Sequence, residues 1–333
     1  MKIYKSALFD QFQCIASACP DSCCKEWSVT VDPRSAAMYQ QMEGPLGDRL
    51  RQVLTEEDGD IIMTIENGRC PMWCQDGLCR IQAELGHDAL CKICQEFPRL
   101  THDYGDFVEY GLELSCPEAA NMILSCPAAP MVETEVDGGE APQYDTWDMQ
   151  VLLRTRQEAL TLLTEDQPIQ EALALLLLFG YEAQSQLDGG GAVPFDKKAA
   201  LQDARNFAKK GDTTDFLNFF KELEILDPNW LKRLETPQFG PWDVRHLRLA
   251  SYFVERYWLQ AVSDFDLVAR VKFAIISCLA VKFLGGDPLQ AAQRYSKEIE
   301  NDPENVEAIL DGAYTYPAFT DDQLLGLLFQ EDR

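Results

Sequence analysis

Cys19-Pro20-Asp21-Ser22-Cys23-Cys24 and, further along, Cys70-Pro71-Met72-Trp73-Cys74-Gln75-Asp76-Gly77-Leu78-Cys79 are the stretches that decide how this chain is read. With Cys14, Cys91-x2-Cys94 and Cys116 they place ten of the 12 cysteines between residues 14 and 116. Only Cys126 and Cys278 fall outside, and both are expected to be ordinary residues, Cys278 inside an apolar helix. Cys14 to Lys25 is too rich in small and polar residues for a regular element. It reads as a loop wrapped around something.

Thiolates are soft donors and suit zinc or iron–sulfur clusters. A structural zinc takes four ligands; a cubane cluster takes four cysteines, or three with one iron left open. Ten cysteines exceed one such site, so two sites, or one site plus packing cysteines, both remain open. The spacings are not those of a zinc ribbon. Cys19-x3-Cys23-Cys24 approaches the Cys-x3-Cys-x2-Cys spacing of clusters that activate S-adenosylmethionine, but its third cysteine is adjacent to the second. Consecutive side chains diverge, so Cys23 and Cys24 are expected to serve different metal atoms, or one of them packs. Cys19, Cys70, Cys116 and Cys126 each precede proline, which holds a residue extended. Cys116 is expected at a helix N-terminus, where the dipole favours thiolate.

Outward from the cysteines, the pattern predicts a mainly α protein. Residues 1–126 form a cysteine-rich, irregular part with a few short strands, 127–145 a linker, and 146–333 an all-helical part. Residues 1–13 read as an extended lead-in. Strands are expected at Trp27–Val31, Ile61–Ile65 and Phe107–Leu114. Helices are expected from Asp32-Pro33 to about Met42, where Asp32 is the cap and Pro33 the first helical residue, over Leu46–Leu54, over Leu78–Leu90, and from Cys116-Pro117.

The chain has 333 residues and a net charge of −26. Both halves are acidic, residues 1–126 by −10 and the remainder by −16. That argues against a nucleic-acid partner, which needs a basic footprint, and would attract a basic substrate. Met1–Asp10 has no apolar core of a secretory signal, and no window reaches the roughly 18 apolar residues of a membrane span. A cytoplasmic protein without a membrane partner is expected, with its thiols kept reduced, so dense cysteine points to metal rather than disulfides.

Several motifs resemble the flagellin lysine-N-methylase family, which is related to a group described as zinc- or iron-chelating cysteine domains. They are Phe12-Gln13-Cys14-Ile15; Cys19 to Trp27 with Val31-Asp32; Cys70-Pro71-Met72-Trp73; Asp76 to Gln82 with Glu84-Leu85-Gly86; Cys94 with Phe97-Pro98-Arg99; and Leu114 to Ala120. They run in one order over about residues 9–125. The resemblance places the family's cysteines on Cys14, Cys19, Cys23, Cys24, Cys70, Cys79, Cys94 and Cys116. Cys74 and Cys91 stand where the family usually has other residues and are possible additional ligands.

The resemblance implies an enzyme, a protein-lysine N-methyltransferase. It would carry a methyl group from S-adenosylmethionine to lysines of flagellin or a similar protein, with an iron–sulfur cluster, 4Fe-4S first and zinc as the alternative. No Gly-rich loop follows a strand as in a Rossmann-like methyltransferase; Gly189–Gly191 follows a helix. Another device must hold the donor, such as an open iron. A carboxylate must also receive or orient the lysine amine, which is protonated near neutral pH. Glu113, Glu118 and Asp32 are the candidates within the motifs; Asp32 as a helix cap and Glu118 as a first-turn carboxylate are the plain structural readings. Trp27 and Arg99 are candidates for cofactor contact, while His87, His102 and His246 read as ordinary. The alternative is a non-catalytic protein with structural zinc or an electron-transfer cluster and a helical interaction module.

Overall fold

The computed structural model describes residues 1–25, 28–126 and 131–330. Its elements begin with β1 (Lys2–Ser6), β2 (Val29–Thr30), α1 (Pro33–Gln41), α2 (Gly44–Val53), β3 (Leu54–Glu57) and β4 (Asp60–Met63). There follow α3 (Arg80–Leu85), α4 (Lys92–Glu96), β5 (Arg99–Asp103), β6 (Phe107–Leu112), α5 (Pro117–Ser125) and β7 (Met131–Glu135). From there the chain is helical: α6 (Thr146–Leu160), α7 (Ile169–Leu187), α8 (Lys197–Phe207), α9 (Thr213–Lys221) and α10 (Pro228–Glu235). It closes with α11 (Val244–Tyr257), α12 (Leu267–Leu284), α13 (Pro288–Tyr295), α14 (Pro303–Thr315) and α15 (Asp321–Leu328). The mainly α class expected from the pattern is what forms.

The lead-in proves to be a strand. β1 lies inside a four-stranded sheet of order β5-β6-β1-β7, parallel to β6 and antiparallel to β7. β7 falls inside the stretch whose composition suggested a linker. It is an edge strand with four of its five side chains exposed, so it carries no hydrophobic alternation to read. The Phe97–Pro98 peptide before β5 is cis. β2, β4 and β3 make a second, antiparallel sheet. The expected helix over Leu78–Leu90 stops at Leu85, because Gly86 takes a positive φ of 87° and turns the chain into a short 3-10 turn at His87–Ala89.

α12 is the centre of the helical part, and all of its 18 residues are buried. Its charges are satisfied in place: Lys272 Nζ donates to the carbonyls of Ala313 (2.9 Å) and Phe319 (3.2 Å), and Lys282 Nζ to that of Gly240 (2.9 Å). It ends at Gly285, where an added Cβ would overlap the Gln238 carbonyl. Among the described residues no helix is long and apolar enough to cross a membrane.

The main core joins α6–α15 to Phe107, Leu114, Ala120 and Leu124, so β6 and α5 pack into the helices. Glu109 on β6 is only 4% exposed. Its carboxylate meets the Arg156 guanidinium of α6 in a two-pronged pair at 2.6 and 2.9 Å. A second core holds Val29, Tyr39, Leu50, Met63 and Met72; a third holds Phe12, Leu112, Cys116 and Ala119.

Candidate metal centre

The cysteines are positioned by turns and helix starts. Cys14 lies beside a 3-10 turn, Ala16–Ala18, and accepts the Ala16 N–H at 3.4 Å. Cys19 closes that turn in an extended conformation, as a residue before proline should. The Cys70 N–H donates to the Cys24 carbonyl at 2.7 Å, tying the two cysteine stretches together. Cys79, Cys91 and Cys116 are the N-cap residues of α3, α4 and α5. Backbone N–H groups of those first turns lie toward the three sulfurs, looser than strict hydrogen bonds. They favour thiolate, as helix N-termini do.

These elements bring nine sulfurs to one cavity of about 480 Å³ between the second and third cores. Its wall carries Cys14, Cys19, Cys23, Cys24, Cys70, Cys79, Cys91, Cys94 and Cys116. All eight cysteines of the family pattern are there, and Cys91 with them. Cys74 is not on the wall. Cys278 is fully buried in α12, and Cys126 is exposed beyond α5.

The sulfurs perturb one another. Cys23 and Cys24 converge to 3.9 Å, against the divergence expected of consecutive side chains, because the chain turns at this point. Contact with Cys24 and burial push the Cys23 thiol up. Contact with Cys24 draws Cys70 down, against burial. The Cys94 thiol holds Cys91 low, and Cys91 in turn pushes Cys94 up. Burial drives Cys116 to about 12. Several thiolates in a low-dielectric cavity repel unless a cation balances them.

Thiolates about 2.3 Å from one tetrahedral ion stand about 3.8 Å apart, close to the Cys23–Cys24 separation. Among the described residues no three Cys, His, Asp or Glu side chains are already arranged around a single ion. The donor set and its convergence therefore fit a thiolate-bound metal or cluster, with side-chain rotation needed to close the ligand shell.

Arg99 also lines the thiol cavity; its guanidinium donates to the Phe12 carbonyl at 3.3 Å and lies 5.2 Å over the Phe12 ring. Trp27 lies outside the described residues. Asp32 is a cap rather than a wall residue, accepting the Ser35 and Lys92 N–H groups at 3.0 and 2.8 Å. Glu113 is half-buried, accepts from the Ser115 hydroxyl, and desolvation raises its pKa. Glu118 opens instead onto a second, larger cavity of about 940 Å³. His246 is buried in the capping box of α11, where burial lowers its pKa to about 4.

The larger cavity adjoins the thiol cavity, for Asp21 and Pro117 line both. Asp21 stands inside the Cys19 to Trp27 motif, and nothing in the sequence marks it singly. Lys25 reaches its Oδ1 at 2.6 Å, and Lys297 and Gln293 reach its Oδ2 at 3.2 and 3.1 Å. Burial pushes its pKa up, but Lys25 and Lys297 outweigh that and hold it at about 2. Lys297 belongs to a π turn, Ser296–Glu300, that continues α13. Asp21 thus fastens the cysteine loop to the helical part.

Over 134 residues the chain is 34% identical to the flagellar biosynthetic protein FliU of Salmonella muenchen, a match covering 38% of this chain and 79% of that protein. The chain belongs to the flagellin lysine-N-methylase family. Two members of the family, lysine-N-methylases of Salmonella typhimurium and Salmonella choleraesuis, are also 34% identical over 134 residues. Those matches cover 33% of each, so the chain spans about a third of the length of these two relatives. No family model and no solved structure matches it.

Proposed function

We propose that this protein transfers a methyl group from S-adenosylmethionine to lysine side chains of flagellin or a flagellin-like protein, with an iron–sulfur cluster held by its N-terminal cysteines. The observation that carries this reading is the convergence of nine cysteines on one cavity in a chain of this family. Cys14, Cys19, Cys23, Cys24, Cys70, Cys79, Cys94 and Cys116 are the ligand candidates, and Cys91 has the position to join them. When bound, such a cluster supplies electron transfer or an open iron coordination position.

The chain's own residues supply the rest. A surface of net charge −26 draws a lysine-bearing partner by long-range attraction. The lysine ammonium must lose a proton before its nitrogen can accept a methyl group. Among the carboxylates singled out from the sequence, Glu118 faces a cavity and has no hydrogen-bonded or charged partner among the described residues, so it is the one placed to take that proton. The methyl group then moves from the sulfonium to nitrogen, and the donor leaves as its thioether, S-adenosylhomocysteine.

Anaerobically purified protein, incubated with flagellin and S-adenosylmethionine, should give flagellin peptides carrying added methyl groups on lysine by mass spectrometry. Glu118→Gln should lower the turnover by about 100-fold or more while leaving the metal content unchanged. No methylation by the wild-type protein would refute the reading. Unchanged turnover in Glu118→Gln would remove Glu118 from it.

A further inference from the structure

Two arginines on the wall of the larger cavity are used by nothing above. Most of its charged groups are matched internally. Asp21 takes Lys25 and Lys297, Asp287 pairs with Arg245, Asp227 caps α10, and Glu298 accepts the Leu226 and Asp227 N–H groups. Arg233 of α10 and Arg294 of α13, like Lys232 and Glu118 on the same wall, are not matched in this way. Both line the cavity, and neither guanidinium has a hydrogen bond or ion pair among the described residues. Arg233 is half-buried, with its guanidinium over the turn at Gly286.

The two cations are near enough to repel. Burial lowers the pKa of Arg233, and Arg294 lowers it further. Arg294 is exposed and Arg233 half-buried, so both guanidiniums stand open to a ligand entering the cavity. A planar, always-charged fork is also the side chain best shaped to grip a carboxylate or phosphate with paired hydrogen bonds.

We infer that Arg233 and Arg294 form an anion site, which takes the carboxylate or phosphate group of a small molecule whose body lies in the 940 Å³ cavity. The volume lies within the range of small-molecule sites, about 300–1,000 Å³. The wall shared through Asp21 and Pro117 puts such a ligand next to the thiol cavity. The anion site stands on the geometry alone; assigning it the carboxylate of the methyl donor rests on the proposed function. In that case the arginine pair anchors the amino-acid end of the donor without a Gly-rich loop.

A competing explanation is that both arginines merely offset helix dipoles, since each lies in the last turn of its helix. The test separates the two. The full-length protein and the Arg233→Gln/Arg294→Gln double variant are titrated calorimetrically with S-adenosylhomocysteine and, separately, with pyrophosphate. Their melting is followed without ligand, and an Arg233→Lys/Arg294→Lys variant keeps charge but loses the fork. One ligand should bind the wild-type protein at least about tenfold tighter than the Gln variant, the loss expected from one charge-assisted hydrogen bond, with the Lys variant between. Without ligand the Gln variant should melt no lower than wild type, because a repulsion has been removed. Response to S-adenosylhomocysteine identifies the donor's carboxylate; response to pyrophosphate alone identifies a phosphate ligand. Binding of S-adenosylhomocysteine that is equal in wild type and the Gln variant, with no difference for pyrophosphate either, overturns the site while leaving methyl transfer standing. A Gln variant that melts lower while binding unchanged also overturns the site alone, whereas failure of both ligands to bind overturns the site and counts against methyl transfer as well.

Discussion

Asp32 illustrates what a single residue discloses. The pair Asp32-Pro33 announces a helix start, and the carboxylate does cap α1. Its second partner, the Lys92 N–H, is 60 residues away and has no local signal. Those N–H groups, first Lys92 and then Ser35, hold the carboxyl at about 2. A folded-state pKa below the unfolded value of about 3.9 means the stabilisation is present above that value and is lost as pH falls toward 2. Asp32→Ala should therefore cost about 1 kcal/mol at pH 7, measured as a shift in urea midpoint. The difference should narrow as pH falls below about 4, and a constant difference would contradict the capping role. At the cavity, Cys23 and Cys24 met although the spacing suggested they would not, because side-chain direction follows the turn rather than sequence adjacency.

Elements were legible where one face alone met the core. α1 and α5 follow their caps and prolines closely. β1 and β7 were not, because a lone pair of strands is stabilised by partners distant in sequence, here β6 and the chain's first residues. β6 was found, but a strand's own sequence does not say what covers its Glu109 face. That face is covered by the helices, and Arg156 supplies the missing charge. Glu109→Ala should leave a buried guanidinium unmatched and cost about 3–5 kcal/mol in chemical denaturation. A loss under about 1 kcal/mol would mean that water already reaches Arg156 and that the pair does little to fix β6 against α6.

At the scale of the molecule, a mainly α chain of strong negative charge wraps a sulfur-rich cavity in its N-terminal part, which Asp21 ties to Gln293 of α13. The sulfur content of that cavity could be read from cysteine density and motif order. Cys91 on its wall could not, being outside the family pattern, and neither could the larger cavity. The far wall of the latter comes from α10 and α13, which carry no motif and meet the cysteine loop only through tertiary contacts such as Asp21 with Lys297. The central claim is that this sulfur cavity holds an iron–sulfur cluster. Anaerobic purification followed by iron, sulfide and zinc analysis tests it most directly, with wild type beside Cys24→Ser/Cys70→Ser and, as control, Cys126→Ser. Stoichiometric iron and sulfide with broad visible absorption are expected in wild type and Cys126→Ser and should be lost in the double variant. A colourless wild-type protein without iron, or a double variant that keeps its full cluster, would contradict the account.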